Sequence, residues 1–182
     1  MLSAAGATLV VLLALGWLGA RAAGVDVAPF FLARAAAGVD LAIASPAERP
    51  DDRPRALAAD RVALDRILGN LVDNALAVLG PGGRVRLEAR AVEGVAGVPG
   101  PAIAFSVVDD GPGFPPGGTD RAFERLYRGD PARAGGGSGL GLAIVRELAR
   151  AHGGVAIAEN LAPRGARVSV VLPVQPPVSP SG

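Results

Sequence analysis

A long segment rich in Gly, Pro and Arg, from Asp110 to Gly137, interrupts a chain that otherwise alternates helix-like and strand-like patterns. Gly and Pro break regular structure, so this segment cannot be one continuous helix or strand. A loop of such length inside a compact domain is usually functional or disordered. The chain has 182 residues, enough for one domain with a real core and too few for two large domains. We therefore expect short helices and strands arranged around one long loop.

The segments on both sides of this loop predict one α/β domain. Strict alternation of apolar and polar residues from Arg84 to Val92 predicts a strand with one buried face, and Ala102–Val108 is its expected hairpin partner. The clearest helix ends at the run Gly80-Pro81-Gly82-Gly83. The full set of predicted elements comprises helices at 27–37, 60–79 and 140–151, strands at 39–44, 84–92, 102–108, 154–159 and 166–172, and a loop at 45–55. The last two strands are expected to pair.

The first 20 residues carry no charge, and residues 8–18 are almost purely apolar. At about 1.5 Å per residue, about 20 helical residues cross the hydrocarbon core of a bilayer. Trp17 near the end of the segment and Arg21 just after it are typical of a membrane-interface anchor, and basic residues after the span predict that the rest of the chain faces the cytoplasm. Two alternatives remain open: a signal peptide cleaved near Ala20-Arg21-Ala22, and a helix that packs against a partner.

These patterns divide the chain into three parts. Residues 1–23 are expected to form an apolar helix that anchors the chain in a membrane. Residues 24–174 are expected to form the α/β domain, and residues 175–182 a disordered tail. No internal repeat is visible in the sequence.

The composition excludes several kinds of chemistry. All 18 basic residues are Arg, and the chain has no Lys, no Cys and one His, His152. Without Lys, the chain cannot use a Walker A loop, the strand Lys of eukaryotic-type protein kinases or a pyridoxal Schiff base. Without Cys, disulfides, thiolate metal sites and Cys nucleophiles are excluded. A formal net charge of +1 gives no electrostatic case for nucleic acid as a partner.

The first candidate site is a pair of amides on the predicted helix 60–79. Asn70 and Asn74 are four residues apart, so they lie about 40° apart on the helix surface, at the border of an apolar stripe. The stripe consists of Leu64, Ile67, Leu68, Leu71, Ala75 and Val78. Amide oxygens suit Mg²⁺ when the ion also keeps water and phosphate oxygens as ligands. The alternative is a pair of polar residues that caps or lines a helix interface.

The second candidate is the run Asp109-Asp110-Gly111-Pro112-Gly113 at the end of a strand. A carboxylate fixed at a strand end can accept a hydrogen bond from an exocyclic amine, and the two glycines let the backbone approach a ring closely. The alternative is an ordinary turn, since Asp-Gly and Pro-Gly form turns routinely.

The third candidate is the glycine-rich run from Gly135 to Leu142 that leads into the last helix. Its backbone N–H groups and the helix N-terminus favour an anion such as a triphosphate. It differs from the dinucleotide-binding fingerprint, because Leu142 stands where a third Gly is needed and no strand directly precedes it. The alternative is a flexible linker. The arginines of the long loop supply positive charge for phosphates or form a solvated surface: Arg121, Arg125, Arg128 and Arg133.

Taken in order, these motifs resemble the ATP-binding catalytic domain of bacterial sensor histidine kinases, in the superfamily that includes gyrase B, Hsp90 and MutL. Asn70 and Asn74 match the N box, and Asp109-x-Gly111-x-Gly113 matches the G1 box. Residues 122–128 match the F box, and Gly137-x-Gly139-Leu140-Gly141-Leu142 matches the G2 box. The resemblance covers roughly residues 25–174. It implies a Bergerat-type fold, a two-layer α/β sandwich in which three helices cover a mixed sheet, with a lid at 110–137.

The resemblance also implies the ligands and the roles of single residues. Asp109 would bind the adenine amine of ATP, while Asn74 and Asn70 would hold Mg²⁺ and serve the catalytic step. The other residues implied in nucleotide binding are Gly111, Gly113, Phe123, Arg128, Gly137, Gly139, Leu140, Gly141 and Leu142. The implied reaction is phosphoryl transfer from Mg-ATP to a His on a dimerisation domain. The implied next partner is a response regulator, which would receive the phosphoryl group from that His. The implied location is the cytoplasmic membrane, with the ATP domain facing the cytoplasm.

The phosphoacceptor His of this family has no counterpart upstream of the ATP-binding motifs, since no His precedes residue 152. We expect His152 to cap the C-terminal end of the last predicted helix, where a cation is favoured. The acceptor domain is then expected in trans or on a segment outside this sequence. Two other functions remain open: a membrane-associated module that binds ATP without transferring phosphate, and a Ser/Thr kinase of the anti-sigma type.

Overall fold

The computed structural model describes residues 40–44, 61–127 and 138–174. Several predictions lie outside these residues: the apolar helix at 1–23, the helix at 27–37, the loop at 45–55, the tail at 175–182, Arg128 and Gly137. Within the described ranges, no helix is both long and apolar enough to cross a membrane.

The described part contains five strands and three helices, which we number in chain order. They are β1 (Asp40–Ala44), α1 (Arg61–Val78), β2 (Arg84–Val92), β3 (Ala102–Asp109), α2 (Gly118–Arg121), α3 (Gly141–Ala151), β4 (Val155–Asn160) and β5 (Ala166–Pro173). Apart from α2, each was predicted from the sequence to within one residue at either end. Gly80 and Gly83 close the turn after α1, because the Gly83 N–H donates to the Gly80 carbonyl at 3.1 Å.

The strands form one mixed sheet, as predicted. Their order is β1-β2-β3-β5-β4, with β1 parallel to β2 and the other neighbours antiparallel. The register places four residues in one row at an end of the sheet: Val85, Asp109, Ala166 and Asn160. This row lies where β3 ends, so it brings the strand end carrying Asp109 next to the β4–β5 hairpin.

The core lies between this sheet and the helices. The alternation of β2 points Val85 and Leu87 inward, and both are buried. The predicted stripe of α1 is buried with them, with Ile67 0% and Leu71 1% exposed, except for Val78 at its end, which is half-buried. α1 packs against α3, and both helices pack on the sheet. Each large apolar side chain buried this way contributes about 1.5–3 kcal/mol. The described part is thus the predicted two-layer sandwich, with two of its three predicted helices in place.

The opposite face of the sheet carries a group of ion pairs around Glu88. Glu88 pairs with Arg86 at 2.7 Å between Oε1 and Nε, and with Arg90 and Arg167 at 3.8 Å. Part of this face is covered by the β2–β3 loop, which buries Val98 against β3 and β5. The sheet therefore packs one apolar face on the helices, and its other face carries both these ion pairs and a small apolar cluster around Val98.

The long Gly/Pro/Arg segment is partly folded, which differs from the sequence expectation of a continuous loop or lid. α2 forms within it, and the following residues Ala122 and Phe123 are 5% and 6% exposed in the main core. Burial of these two apolar side chains outweighs the loop character of their neighbours. Residues 110–127 are thus packed onto the domain through these two side chains.

Candidate nucleotide-binding site

Asp109 is a buried carboxyl group at the end of β3, with 5% of the residue exposed. Its Oδ1 accepts a hydrogen bond from the Gly111 N–H at 2.9 Å. Burial raises the pKa of Asp109, and the hydrogen bonds from the Gly111 and Ala166 backbone act in the opposite direction. A carboxyl group held this firmly can accept a hydrogen bond from an amine in a fixed position.

The two glycines after Asp109 are needed for close packing. A Cβ on Gly111 would lie 2.8 Å from Asp109 Oδ1 and 3.3 Å from Val78 Cγ2, so the loop passes directly over the end of α1. Gly113 has a φ of +77°, and a Cβ there would lie 2.7 Å from Asn160 Oδ1. No other residue type fits these positions without a shift of its neighbours. The G1 pattern found in the sequence therefore has a steric reason here.

The loop after β3 is held from both sides. The Asp110 carboxylate accepts a hydrogen bond from the Arg84 N–H at 2.8 Å, and the Asp110 N–H donates to the Arg84 carbonyl at 3.2 Å. On the other side, Asn160 forms two hydrogen bonds with the backbone of Phe114. The Arg164 Nε donates to the Gly111 carbonyl at 3.3 Å.

Sequence reasoning missed Asn160 and Arg164. They lie outside every motif, and their hydrogen-bond partners are 46 and 53 residues away along the chain. The only local signal was Gly165, whose φ is +111° and whose Cβ would overlap the Asp109 carbonyl oxygen. The contact of the β4–β5 hairpin with this loop depends on sheet pairing, which local patterns do not give.

Asn70 and Asn74 lie on one side of α1 and are both half-buried, as predicted from the helical spacing. The Asn70 Nδ2 donates to the Arg66 carbonyl at 2.9 Å. A Cβ on Gly141 would lie 3.2 Å from Asn70 Oδ1, so this amide oxygen faces the first residue of α3. The structure thus brings the N-box amide and the G2 box together, although 71 positions separate them.

Leu126 and Gly139, which flank the undescribed residues 128–137 along the chain, contact each other. The Leu126 N–H donates to the Gly139 carbonyl at 2.9 Å. Gly139 has a φ of +67°, and a Cβ there would lie 2.9 Å from Leu126 Cα. Leu126 itself has a φ of +63°, which is unusual for a non-Gly residue. The F box and the G2 box thus contact each other through Leu126 and Gly139.

The remaining predicted residues lie around this junction. Leu140 is the N-cap residue of α3 and is half-buried. Phe123 and Leu142 are buried in the main core, at 6% and 7% exposure. Their side chains therefore fix the positions of the F box and of α3 by packing.

These residues fit Mg-ATP. The described residues contain no group of three or more His, Cys, Asp and Glu that could hold a metal by themselves. The amide oxygens of Asn70 and Asn74 suit a Mg²⁺ ion that takes its other ligands from phosphate and water. The N-terminus of α3 begins beside Asn70 and favours phosphate. The buried Asp109 suits the amine of a purine ring.

Comparison with known proteins decides the family. Residues 59–176, more than half of the chain, match the family described as "Histidine kinase-, DNA gyrase B-, and HSP90-like ATPase". The chain belongs to this ATPase family. Within the family, its described part is an ATP-binding catalytic domain of the sensor histidine kinase type. The resemblance stated from the four motifs is confirmed.

Among curated relatives of this ATPase domain, the signal transduction histidine-protein kinase/phosphatase MprB of Mycolicibacterium smegmatis is 41% identical over 120 residues. That match covers 64% of the chain and 23% of the relative. The sensor protein SphS of Synechococcus elongatus is 39% identical over 131 residues, covering 67% of the chain and 30% of SphS. The chain therefore spans less than a third of the length of these relatives.

Solved structures give the same assignment for the ATPase domain. A mycobacterial sensor histidine kinase MprB structure aligns with a TM-score of 0.63 at 29% identity, covering 87% of this chain and 95% of that one. Full-length ShkA in complex with AMPPNP aligns with a TM-score of 0.61 at 29% identity, covering 90% of this chain and 31% of ShkA.

His152 lies away from this site. It follows the last residue of α3, and its Nδ1 lies 2.8 Å from the Leu148 carbonyl. Since a carbonyl only accepts, Nδ1 carries the proton and His152 caps the helix end, as predicted. At 1.5 Å per residue, the 11 residues of α3 place it about 16 Å along the helix axis from Gly141, the residue that Asn70 faces.

Proposed function

We propose that this chain binds Mg-ATP between β3, α1 and α3 and transfers the γ-phosphoryl group to a His on a separate dimerisation domain. The observation that carries the proposal is the buried Asp109 carboxyl at the end of β3, held beside the glycines of its loop. In two-component signalling, the phosphoryl group would then pass to a response regulator.

We propose a separate role for each of the site residues. Asp109 accepts a hydrogen bond from the adenine amine and so fixes the base. Asn70 and Asn74 supply amide oxygens to Mg²⁺, and the N-terminus of α3 faces the phosphates. When bound, Mg²⁺ neutralises phosphate charge. Phosphoryl transfer requires little more from the protein than such positioning and charge stabilisation. Arg128 and the glycines of the G2 box, including Gly137, would add phosphate contacts.

The acceptor is proposed to be supplied by another domain, because the one His of this chain caps α3. Residues 1–23 are proposed to anchor the chain in the cytoplasmic membrane, with the ATP-binding domain in the cytoplasm. The uncharged apolar run and Arg21 just after it support this orientation. Membrane fractionation of cells that express the full chain, with and without residues 1–23, tests the anchor.

The proposal is tested by incubating the full chain with γ-labelled ATP, Mg²⁺ and a purified His-bearing dimerisation domain. Acid-labile label on that domain is expected, because phosphohistidine hydrolyses in acid. Nucleotide binding without any transfer would instead indicate a sensor module, and acid-stable label would indicate a Ser/Thr kinase. Asn74→Ala should abolish transfer, whereas His152→Ala should leave it intact.

A further inference from the structure

We propose that Asn160, at the end of β4, is a positioning residue that clamps the loop carrying the adenine-binding groups, and that its loss weakens binding of the base. This inference rests on the proposed function, because it assumes that Asp109 and its loop receive adenine. We call residues 110–114 the G1 loop.

The clamp consists of two hydrogen bonds to one residue. Asn160 Oδ1 accepts from the Phe114 N–H at 2.7 Å, and Asn160 Nδ2 donates to the Phe114 carbonyl at 2.9 Å. One carboxamide thus satisfies both backbone groups of Phe114, as a neighbouring strand would. The Phe114 side chain packs against the main core at the same point. Asn160 therefore fixes the distal end of the G1 loop.

The backbone of the G1 loop packs closely against the β4–β5 hairpin beside Asn160. A Cβ on Gly113 would lie 2.7 Å from Asn160 Oδ1 and 3.1 Å from the Gly165 carbonyl oxygen, so the loop backbone lies directly against the hairpin. The Arg164 Nε donates to the Gly111 carbonyl at 3.3 Å. Release of Phe114 would therefore let the glycines move away from the hairpin.

Movement of the loop bears directly on Asp109. The Gly111 N–H that orients the Asp109 carboxyl belongs to this loop. Pro112 has no N–H, so it cannot add a backbone hydrogen bond of its own. A loop that must become ordered on binding lowers affinity, whereas a loop held in place beforehand does not. Asn160 has no assigned contact with ATP, and its effect is exerted through Phe114 and Gly111.

Asn160 can be tested without damaging the core, because it is exposed and its truncation leaves no internal cavity. Glu159→Ala is the matched control: Glu159 is the preceding residue of β4, also exposed, and it pairs at 3.9 Å with Arg167 on the other face of the sheet. Asn160→Asp is a second variant. It keeps the acceptor for the Phe114 N–H and loses the donor for the Phe114 carbonyl.

Three measurements on the full chain test the clamp. Hydrogen exchange at the Phe114 amide should be at least about tenfold faster in Asn160→Ala than in the wild type, while β3 and β5 amides exchange as before. The Kd values of ATP and of adenosine should both rise about tenfold, equivalent to about 1.4 kcal/mol, because only the base end is affected. The KM for ATP should rise with kcat unchanged. The Phe114 exchange rate and the Kd values of Asn160→Asp should lie between those of the wild type and Asn160→Ala. Glu159→Ala should match the wild type in all of these measurements.

The outcomes separate this inference from the proposed function. Unchanged Phe114 exchange in Asn160→Ala, or an unchanged Kd for ATP in that variant, would overturn the clamp while leaving ATP binding intact. A wild-type chain that does not bind ATP would overturn the proposed function and, with it, the role of Asn160 in base binding. A rise in the Kd of ATP but not of adenosine in Asn160→Ala would also overturn the clamp, since the loss of affinity would then concern the phosphates and not the base. If Asn160→Ala fails to fold, the same criteria apply to Asn160→Asp.

Discussion

Replacing Gly111 with Ala would disturb the adenine site through one methyl group. The new Cβ would lie 2.8 Å from Asp109 Oδ1, a distance that real Cβ atoms essentially never show, and 3.3 Å from Val78 Cγ2, which is a tight contact. The carboxyl group or the loop must then move by a few tenths of an ångström. Such a shift weakens the 2.9 Å hydrogen bond from the Gly111 N–H that orients Asp109.

The magnitude follows from that hydrogen bond. A hydrogen bond to a charged group contributes about 1.5–3 kcal/mol. Since about 1.4 kcal/mol corresponds to a tenfold change, the Kd of ATP should rise by about 10- to 150-fold in Gly111→Ala. The backbone of Gly111 does not have a positive φ, so Ala adds little strain and the chain should stay folded.

Titration calorimetry with ATP and Mg²⁺ measures this change. Gly80→Ala is the matched control, because a Cβ there has no atom within 4 Å and its φ is not positive. That variant should bind ATP as the wild type does. Wild-type affinity in Gly111→Ala would refute the assignment of Asp109 and its loop to the base.

Three further predictions concern the pH dependence of stability, the contact between Gly139 and Leu126, and the cap of α3 by His152. Burial raises the pKa of Asp109 in the folded chain, so the folded state favours the protonated form, and stability should fall as pH rises from the unfolded value of about 3.9 through the folded value. Asp109→Asn should therefore melt at a higher temperature than the wild type at pH 7, with the gap closing below pH ~4; a gap that does not depend on pH would contradict this. Gly139→Ala should lower stability by about 1 kcal/mol or more in urea unfolding, because its φ is +67° and its Cβ would press on Leu126, and a neutral result would contradict the described junction. His152→Ala should lower stability by about 1 kcal/mol through loss of the bond to the Leu148 carbonyl while phosphoryl transfer to a separate domain persists; loss of transfer in a folded variant would contradict its role as a cap.

Local patterns in the sequence predicted most of the elements. The period of α1 and the alternation of β2 depend on residues a few positions apart, so their faces and ends could be read directly. The stripe containing Ile67 and Leu71 is buried, and Asn70 and Asn74 lie at its border, as the helical spacing required. The glycines of the G1 loop were also recognisable from the sequence as positions of close backbone approach, and the structure shows that Gly111 lies against Asp109 and Gly113 against Asn160.

Long-range contacts were not accessible in the same way. The pairing of β5 with both β3 and β4 brings Asn160 to Phe114 across 46 residues, and no local period reports such a contact. The segment after Asp110 was expected to be a loop throughout, because it is rich in Gly and Pro. Its composition gives no sign that Ala122 and Phe123 are buried. Tertiary burial of Ala122 and Phe123 decides its structure instead. The roles of Arg128 and Gly137 stay predictions.

Binding of the ATP base by Asp109 is open to a direct calorimetric test. Calorimetric titration of the full chain with ATP and Mg²⁺ should give a Kd in the micromolar to millimolar range for the wild type. Asp109→Asn keeps an oxygen for the Gly111 N–H but turns an NH₂ donor toward the adenine amine, so its Kd should rise by about tenfold or more. Equal Kd values for the wild type and a folded Asp109→Asn would contradict the account.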